Sequence, residues 1–197
     1  MLTGGPGGGK STAVPFVKKR LEARGFTVLH VDEAATELIR AGVTRESCGS
    51  QLAFQIKVIE KQLALEKEAQ AAAKTAKKPA VILCDRGILD GRGYLDEAEF
   101  LSALGHHGFD RASASVRYDA VFFLRSPAVD RPEFYTTANN DARSETPEES
   151  AAIDRNTLLG WSGCGYFRET DNTTDFEQKK ERLVKQILEF LGSEDIK

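Results

Sequence analysis

A glycine-rich segment near the amino terminus constrains the fold more than any other feature of this chain. Residues 4–11, GGPGGGKS, match the pattern G-x-x-x-x-G-K-[ST]. Glycines let backbone N–H groups turn toward a phosphate without obstruction from side chains, and a following helix presents its positive end to the anion. The segment therefore predicts a phosphate-binding loop that opens a helix. The alternative is a flexible glycine turn, but apolar residues at helical spacing follow it (Ala13, Val14, Val17 and Leu21).

Two side chains of the predicted phosphate loop are expected to contact a nucleoside triphosphate and its Mg²⁺. Lys10 is expected to place a positive charge at the outer phosphates, and Ser11 to offer its hydroxyl to Mg²⁺. ATP is the expected nucleotide and GTP the alternative. The residues predicted to contact the nucleotide here are Gly5, Pro6, Gly7, Gly8, Gly9, Lys10, Ser11 and Thr12.

Acidic residues follow two further apolar runs. Residues 81–85, VILCD, have the form of a Walker B strand, so Asp85 is predicted to hold Mg²⁺ at the carboxyl edge of the sheet. A carboxylate that only caps the next turn is the alternative. Arg86 places a cation beside it that suits a phosphate oxygen or an acceptor hydroxyl.

The run over residues 26–31 ends in Asp32 and Glu33. Either carboxylate is a candidate general base that accepts a hydroxyl proton. The alternative is that both charges complement the dipole of a helix over residues 34–41. For Asp32 the two interpretations are balanced, and for Glu33 the functional one is favoured.

Short apolar runs alternate with helical patterns along the chain. Strands are predicted over residues 26–31, 80–84 and 119–124, and helices over 51–73 and 176–191. This alternation indicates an α/β fold with a five-stranded parallel sheet flanked by helices in three layers. We expect one domain over residues 1–197. Residues 126–150 are polar and punctuated by prolines, which predicts a long, lid-like surface loop.

Composition narrows the class of protein. A net charge of -3 argues against a nucleic-acid partner. The longest apolar runs are about five residues, far below the roughly 20 needed for a membrane span. Three distant cysteines suggest neither a disulfide framework nor a zinc site. A cytoplasmic protein is the expectation.

The ordered set of motifs resembles the AAA-type P-loop ATPase/kinase family related to the NadR ribosylnicotinamide kinase domain. It is more distantly similar to thymidylate and deoxynucleoside kinases. Beyond the phosphate loop, the matching segments are residues 32–35 (DEAA), 54–55 (FQ) with Gln62, 84–87 (CDRG) with Asp90 and Tyr94, 143–149 (RSETPEE) and 171–172 (DN). The resemblance implies the strand order 2-3-1-4-5.

The resemblance also implies roles for individual residues. Glu33 would act as the base or orient the acceptor, while Asp85 and Arg86 would contact acceptor and metal. Arg143, in the lid, would touch the transferred phosphate, and residues 170–172 would lie against the nucleotide base. The expected catalytic set is Lys10, Glu33, Asp85, Arg86 and Arg143. The implied acceptor-binding residues are Asp32, Phe54, Gln55, Asp90 and Tyr94.

Two functions from different classes remain open at this point. The first is Mg²⁺-dependent transfer of the ATP γ-phosphate to a small, nucleoside-like hydroxyl acceptor. The second is a nucleotide-dependent regulatory switch with slow hydrolysis only; some relatives of that kind carry a downstream CYTH-type domain, a further partner if this chain is a fragment. A GTP-specific protein is less favoured, because the chain lacks Asn-Lys-x-Asp.

Overall fold

The computed structural model describes residues 1–134 and 145–192. The strands are β1 (Leu2–Thr3), β2 (Thr27–Val31), β3 (Ala80–Cys84), β4 (Val121–Leu124) and β5 (Phe167–Thr170). The α-helices are α1 (Lys10–Glu22), α2 (Ala34–Arg40), α3 (Arg45–Cys48), α4 (Gln51–Ala73), α5 (Glu97–His106), α6 (Arg111–Ser115), α7 (Pro127–Asp130), α8 (Pro147–Gly160) and α9 (Phe176–Phe190). Two 3-10 helices span Ile88–Gly93 and Pro132–Phe134.

The parallel strands are divided between two ladders. One has the order β1-β4-β5 and the other pairs β2 with β3. A single bridge between Leu2 and Asp85 brings β3 beside β1. The prediction of one continuous five-stranded sheet is therefore wrong, because the strands form two separate ladders. The physical reason lies in the length of β1, because its two residues form a ladder with β4 but only the single bridge toward β3.

Apolar side chains cover both faces of the strands. On one face, α1 and α9 pack against residues such as Leu2 and Phe122. On the other face, α4, α5 and the Ile88–Gly93 helix surround fully buried Phe100 and Trp161. This layering explains why all four residues of β4 are buried. It also leaves the carboxyl ends of β1, β2, β3 and β4 as the edge from which polar loops emerge.

The structure confirms several predicted elements. The helix over residues 51–73 has the predicted bounds, and the last helix ends one residue earlier than expected. The side chain of Asp175 caps α9 by accepting a hydrogen bond from the Gln178 N–H, at 2.8 Å. The three predicted strands are present, two of them shorter at their first residues.

The predicted loop over residues 126–150 is wrong at both of its ends. Ser126 caps α7, and Thr146 caps α8 through a reciprocal capping box with Glu149. A Thr-x-x-Glu spacing with proline at the first helical position is a strong helix start, so α8 already begins at Pro147. The middle of the predicted lid, including Arg143, lies outside the described residues.

Within the part of the chain that the structure describes, no helix combines the length and apolar character needed to cross a bilayer.

Candidate nucleotide-binding site

The glycine loop leaves β1 and passes directly over the end of β4. Gly4 has φ 135°, and a Cβ built there would stand 2.1 Å from the Leu124 carbonyl oxygen. Gly9 has φ 88°, and its Cβ would stand 2.3 Å from the Phe176 ring of α9. Larger residues at these two positions would collide with the sheet or with α9. The sequence therefore needs glycine here so that the loop can curl against both elements.

Lys10 is the first residue of α1 and lies under the loop. Its Nζ donates hydrogen bonds to the carbonyls of Gly4, at 2.7 Å, and Gly5, at 2.9 Å. Burial lowers the pKa of Lys10 to about 8, and the nearby Arg86 charge contributes in the same direction. An added anion next to this ammonium would favour its charged form. Ser11 and Thr12, in contrast, are exposed on the first turn of α1.

Ser11 and Asp85 line one side of the loop together, around a cavity of about 390 Å³. Asp85 follows β3 directly, is 6% exposed, and its Oδ1 atom makes no hydrogen bond within the described residues. Burial raises the pKa of Asp85, although the charges of Lys10 and Arg86 oppose this effect. A buried carboxylate oxygen without a partner, in a cavity that a serine also lines, fits Mg²⁺. This ion is usually bound through one or two protein oxygens plus phosphates and waters.

Glu33 and Arg86 form an ion pair at the inner wall of the site. Arg86 Nε donates to Glu33 Oε1, and its Nη1 donates to the Gly4 carbonyl at 3.3 Å. The Thr36 hydroxyl donates to the other Glu33 oxygen at 2.7 Å. Burial favours the neutral acid, but the Arg86 charge and these hydrogen bonds outweigh it and lower the pKa of Glu33 to about 2. Glu33 is thus held as a carboxylate at neutral pH.

A cavity of about 230 Å³ adjoins the phosphate loop. It is enclosed by α2, α4, the Ile88–Gly93 helix and the residues just before α8, and it shares Pro6, Gly7, Gly9, Lys10 and Ser11 with the loop. The predicted acceptor residues that line it are Phe54, Gln55, Asp90 and Tyr94, together with Glu33 and Arg86. Sequence reasoning thus identified residues from four separate segments that the fold brings around one cavity.

Two of the predicted acceptor residues differ from the others. The Asp32 side chain is 67% exposed, pairs with His30 at 3.2 Å, and lines the cavity beside Ser11 and Asp85 rather than the 230 Å³ cavity. Asp90 is buried, and its oxygens accept hydrogen bonds from Thr3, Arg86 and Trp161 at 2.7, 3.0 and 2.7 Å. Asp90 therefore orients Arg86 while contributing to the cavity wall.

The predicted base-contacting residues belong to the loop after β5. The Asp171 side chain accepts a hydrogen bond from Arg182, at 2.7 Å. The Asn172 amide donates to Asp130 and accepts from Lys179, both at 2.7 Å. Neither residue lines the 230 Å³ cavity.

Sequence reasoning missed two buried residues that hold the phosphate loop in place. Asp154, from α8, accepts the Gly5 N–H and the Ser126 N–H on its Oδ1, each at 2.9 Å. Lys179, from α9, donates to the carbonyls of Gly8 at 3.2 Å and Arg125 at 2.7 Å. The contacts to Gly5 and Gly8 span 149 and 171 residues of chain, so no local pattern in the sequence predicts them. Both residues do occupy inward positions of amphipathic helices, where a charge is unusual.

The phosphate loop, the parallel strands and the acidic strand ends define a P-loop nucleotide-binding protein of the α/β class. A family model described as an AAA domain matches residues 1–179, and the chain belongs to that family. No curated protein matches the chain closely enough to count as a relative.

Proposed function

We propose that this protein catalyses Mg²⁺-dependent transfer of the ATP γ-phosphate to a hydroxyl group of a small, nucleoside-like acceptor. The observation that carries the proposal is the position of the 230 Å³ cavity, hereafter the acceptor cavity. It opens directly onto Lys10 and the glycine loop, and Glu33 and Arg86 form part of its wall. A pure hydrolase needs only a water molecule at this place, whereas a cavity of this size suits a small organic molecule.

The walls of the cavity suit an amphipathic acceptor. Phe54, Ile39 and Val58 offer apolar surface, and Gln55 and Tyr94 offer polar atoms. Gln55 is 5% exposed and lines this cavity. An amide in that position can donate to and accept from an acceptor that carries both kinds of group. A nucleoside has this combination of flat apolar faces and polar edges.

In the proposed reaction the acceptor oxygen attacks the γ-phosphorus. A new O–P bond forms, the bond to the β–γ bridging oxygen breaks, and ADP leaves. Glu33 accepts a hydrogen bond from the acceptor hydroxyl and takes its proton as the new bond forms. A carboxylate with a pKa of about 2 is a weak base, so its main contribution is orientation. Orientation of the acceptor is sufficient, because catalysis of phosphoryl transfer depends mainly on positioning and electrostatic stabilisation rather than on a strong base.

Charge on the transferred group must also be neutralised. Lys10 lies against the loop that would hold the outer phosphates. Ser11 and Asp85 would hold Mg²⁺, which would supply additional positive charge. Arg86 acts indirectly, because its guanidinium is engaged by Glu33, Asp90 and the Gly4 carbonyl.

One observation favours a nucleotide-dependent switch with slow hydrolysis as the second candidate. Among the described residues, Arg86 is the only arginine that lines the acceptor cavity, and it is already paired. Efficient phosphoryl transfer commonly uses an arginine directed at the migrating group.

A screen for acceptor-dependent turnover tests the proposal. ADP production from ATP is measured with Mg²⁺ and a panel of nucleosides and other small hydroxyl compounds, and the same panel is repeated with GTP. Stimulation by one acceptor, with formation of its phosphate ester, supports the kinase function. Nucleotide binding with only slow hydrolysis throughout the panel would instead support the switch.

Replacing Asp85 with asparagine should raise the Mg²⁺ requirement. The substitution removes the charge from the buried oxygen that lacks a partner, so we expect half-saturating Mg²⁺ to rise by about tenfold. The measurement is a Mg²⁺ titration of ATP binding by calorimetry. Glu37→Gln is the matched control, because Glu37 lines the same cavity but pairs with Lys61 at 2.7 Å. Equal Mg²⁺ curves for wild type and Asp85→Asn would remove Asp85 from the metal site.

Replacing Lys179 with methionine should weaken nucleotide binding although Lys179 belongs to α9. Its ammonium joins Gly8, the end of β4 and Asn172, so its loss releases the phosphate loop on that side. We expect the Kd for ATP to rise by roughly 5- to 30-fold, corresponding to about 1–2 kcal/mol. Lys180→Met is the control, because the Lys180 ammonium instead pairs with Glu177, at 2.8 Å. Equal Kd values in the two variants would argue against this role for Lys179.

A further inference from the structure

The turn after β3 has an unusual backbone. Arg86 has φ 74°, and it is the only residue other than glycine with a positive φ in the described part of the chain. A long side chain in the left-handed region is strained and persists only where its surroundings hold it. The strain falls between Asp85 and Gly87, at the point where the side chains of Asp85 and Arg86 enter the site. What holds this turn therefore determines where both functional groups lie.

Hydrogen bonds hold the turn on both sides of Gly87. The Arg86 carbonyl accepts a hydrogen bond from the Gln62 amide of α4, at 3.2 Å. The Ile88 N–H donates to the Tyr118 hydroxyl, at 3.0 Å. Gly87 itself is packed tightly, since a Cβ there would stand 2.9 Å from the Tyr118 ring and hydroxyl. Gln62 therefore contacts the turn at Arg86, and Tyr118 contacts it at Gly87 and Ile88.

Both of these side chains converge on one carboxylate. Glu66 Oε1 accepts from the Gln62 amide at 3.0 Å and from the Tyr118 hydroxyl at 2.6 Å. Its Oε2 accepts from Arg117 at 2.6 Å. Glu66 lies one helical turn after Gln62 and is only 4% exposed. It therefore reaches the turn through two separate hydrogen-bonded paths, without touching the turn itself.

An ionised carboxylate imposes one arrangement of protons on this network. It can only accept hydrogen bonds, so the Tyr118 hydroxyl must donate to Glu66 and keep its lone pairs for the Ile88 N–H. Burial raises the pKa of Tyr118 well above its ordinary value, so the hydroxyl keeps the proton that it donates. The Gln62 amide must likewise direct its NH₂ group toward both Glu66 and the Arg86 carbonyl. An amide at position 66 could also donate and would permit competing arrangements.

We propose that Glu66 is a positioning residue for the phosphoryl transfer suggested above: through Gln62 and Tyr118 it maintains the left-handed turn that directs Arg86 to Glu33 and Asp85 to the metal side of the loop. The inference rests on the proposed function for its kinetic consequence. Its structural consequence, the orientation of Arg86, does not depend on which reaction the protein catalyses.

Tyr118→Phe tests one of the two paths with little change in volume. The variant keeps the ring against Gly87 and Trp161 but loses the hydroxyl between Glu66 and Ile88. We expect kcat for the acceptor-dependent reaction to fall by roughly 10- to 100-fold, with KM for ATP within about twofold of wild type. In Glu66→Gln, which affects both paths, kcat should fall at least as far. Tyr166→Phe is the matched control, because the Tyr166 ring packs against Phe122 and Phe190 in the opposite core.

A spectroscopic measurement separates this inference from the proposed function. The Nε–H of Arg86 donates to Glu33, and its ¹H–¹⁵N resonance can be assigned by its disappearance in Arg86→Lys. The resonance should shift in Tyr118→Phe and in Glu66→Gln, and should stay in place in Tyr166→Phe. An unchanged resonance in both test variants, even with a lowered Tm, would overturn the inference and leave Glu66 a structural role only. Absence of acceptor-dependent turnover in wild type would refute the kinase function, and the resonance would still decide the inference.

Discussion

Glu33→Gln is expected to lower acceptor-dependent turnover by roughly 10²-fold while leaving the Kd for ATP within about threefold of wild type. The glutamine keeps the size of the side chain, but its amide can donate as well as accept, so it no longer imposes a single orientation on the acceptor hydroxyl. It also loses the charge that pairs with Arg86. The affinity for ATP should be nearly unchanged, because no part of the glycine loop hydrogen bonds to the Glu33 side chain within the described residues.

Initial rates and calorimetry on the same preparations provide the measurement. Glu37→Gln is a matched control one helical turn further along α2, since that carboxylate pairs with Lys61 outside the acceptor cavity. Full turnover in Glu33→Gln would mean either that another acid orients and deprotonates the acceptor hydroxyl or that the reaction needs no base.

The pH dependence of turnover gives a second check on Glu33. Its pKa is lowered from 4.5 to about 2, so it stays ionised, and wild-type turnover should be flat between about pH 5 and 7 as far as this group is concerned. The same shift stabilises the folded protein above about pH 4.5, and that stabilisation is lost as the pH falls toward 2. A loss of turnover near pH 6 that disappears in Glu33→Gln would contradict the lowered pKa.

Local patterns in the sequence were sufficient for the elements that carry the phosphate site. Each of these elements can be predicted from a short stretch of sequence. They are the G-x-x-x-x-G-K-S loop, the apolar strand that ends in Asp85, and the Ala-, Leu- and Glu-rich helix α4. The positions of Glu33 and Arg86 at neighbouring strand ends followed from parallel strand geometry. Their direct pairing did not, because it depends on the left-handed conformation of Arg86.

Other features depended on contacts between distant segments. β5 was not located, because Phe167–Thr170 has two exposed polar residues and forms a strand only by pairing with β4. The polar composition of residues 126–150 predicts a loop where α8 begins, although the Thr-x-x-Glu capping box is visible in the sequence. The buried charges of Glu66, Asp154 and Lys179 were missed for a different reason. Each appears in the sequence as an ordinary helical residue, and its partners come from remote parts of the chain.

Lys10→Met should produce the largest loss of nucleotide affinity. The substitution removes the ammonium beside the glycine loop while keeping most of the aliphatic volume of a side chain that is 7% exposed. A charge-assisted hydrogen bond contributes about 1.5–3 kcal/mol, so the Kd for ATP should rise by roughly 10- to 150-fold. The loss should depend on the outer phosphates, because Lys10 is expected to contact those groups. AMP, which lacks them, should bind wild type and variant with nearly equal affinity.

Calorimetric titration of wild type and variant with ATP and AMP, at saturating Mg²⁺, measures both effects. Lys19→Met is the matched control, since Lys19 is exposed on the same helix and away from the loop. Burial lowers the pKa of Lys10 to about 8, so its charge is present at neutral pH and is lost as the pH rises through that value. Wild-type affinity for ATP should therefore decline above about pH 8 more steeply than that of Lys10→Met. If ATP binds Lys10→Met as tightly as wild type at neutral pH, the glycine loop does not hold the triphosphate in the way the motif predicts.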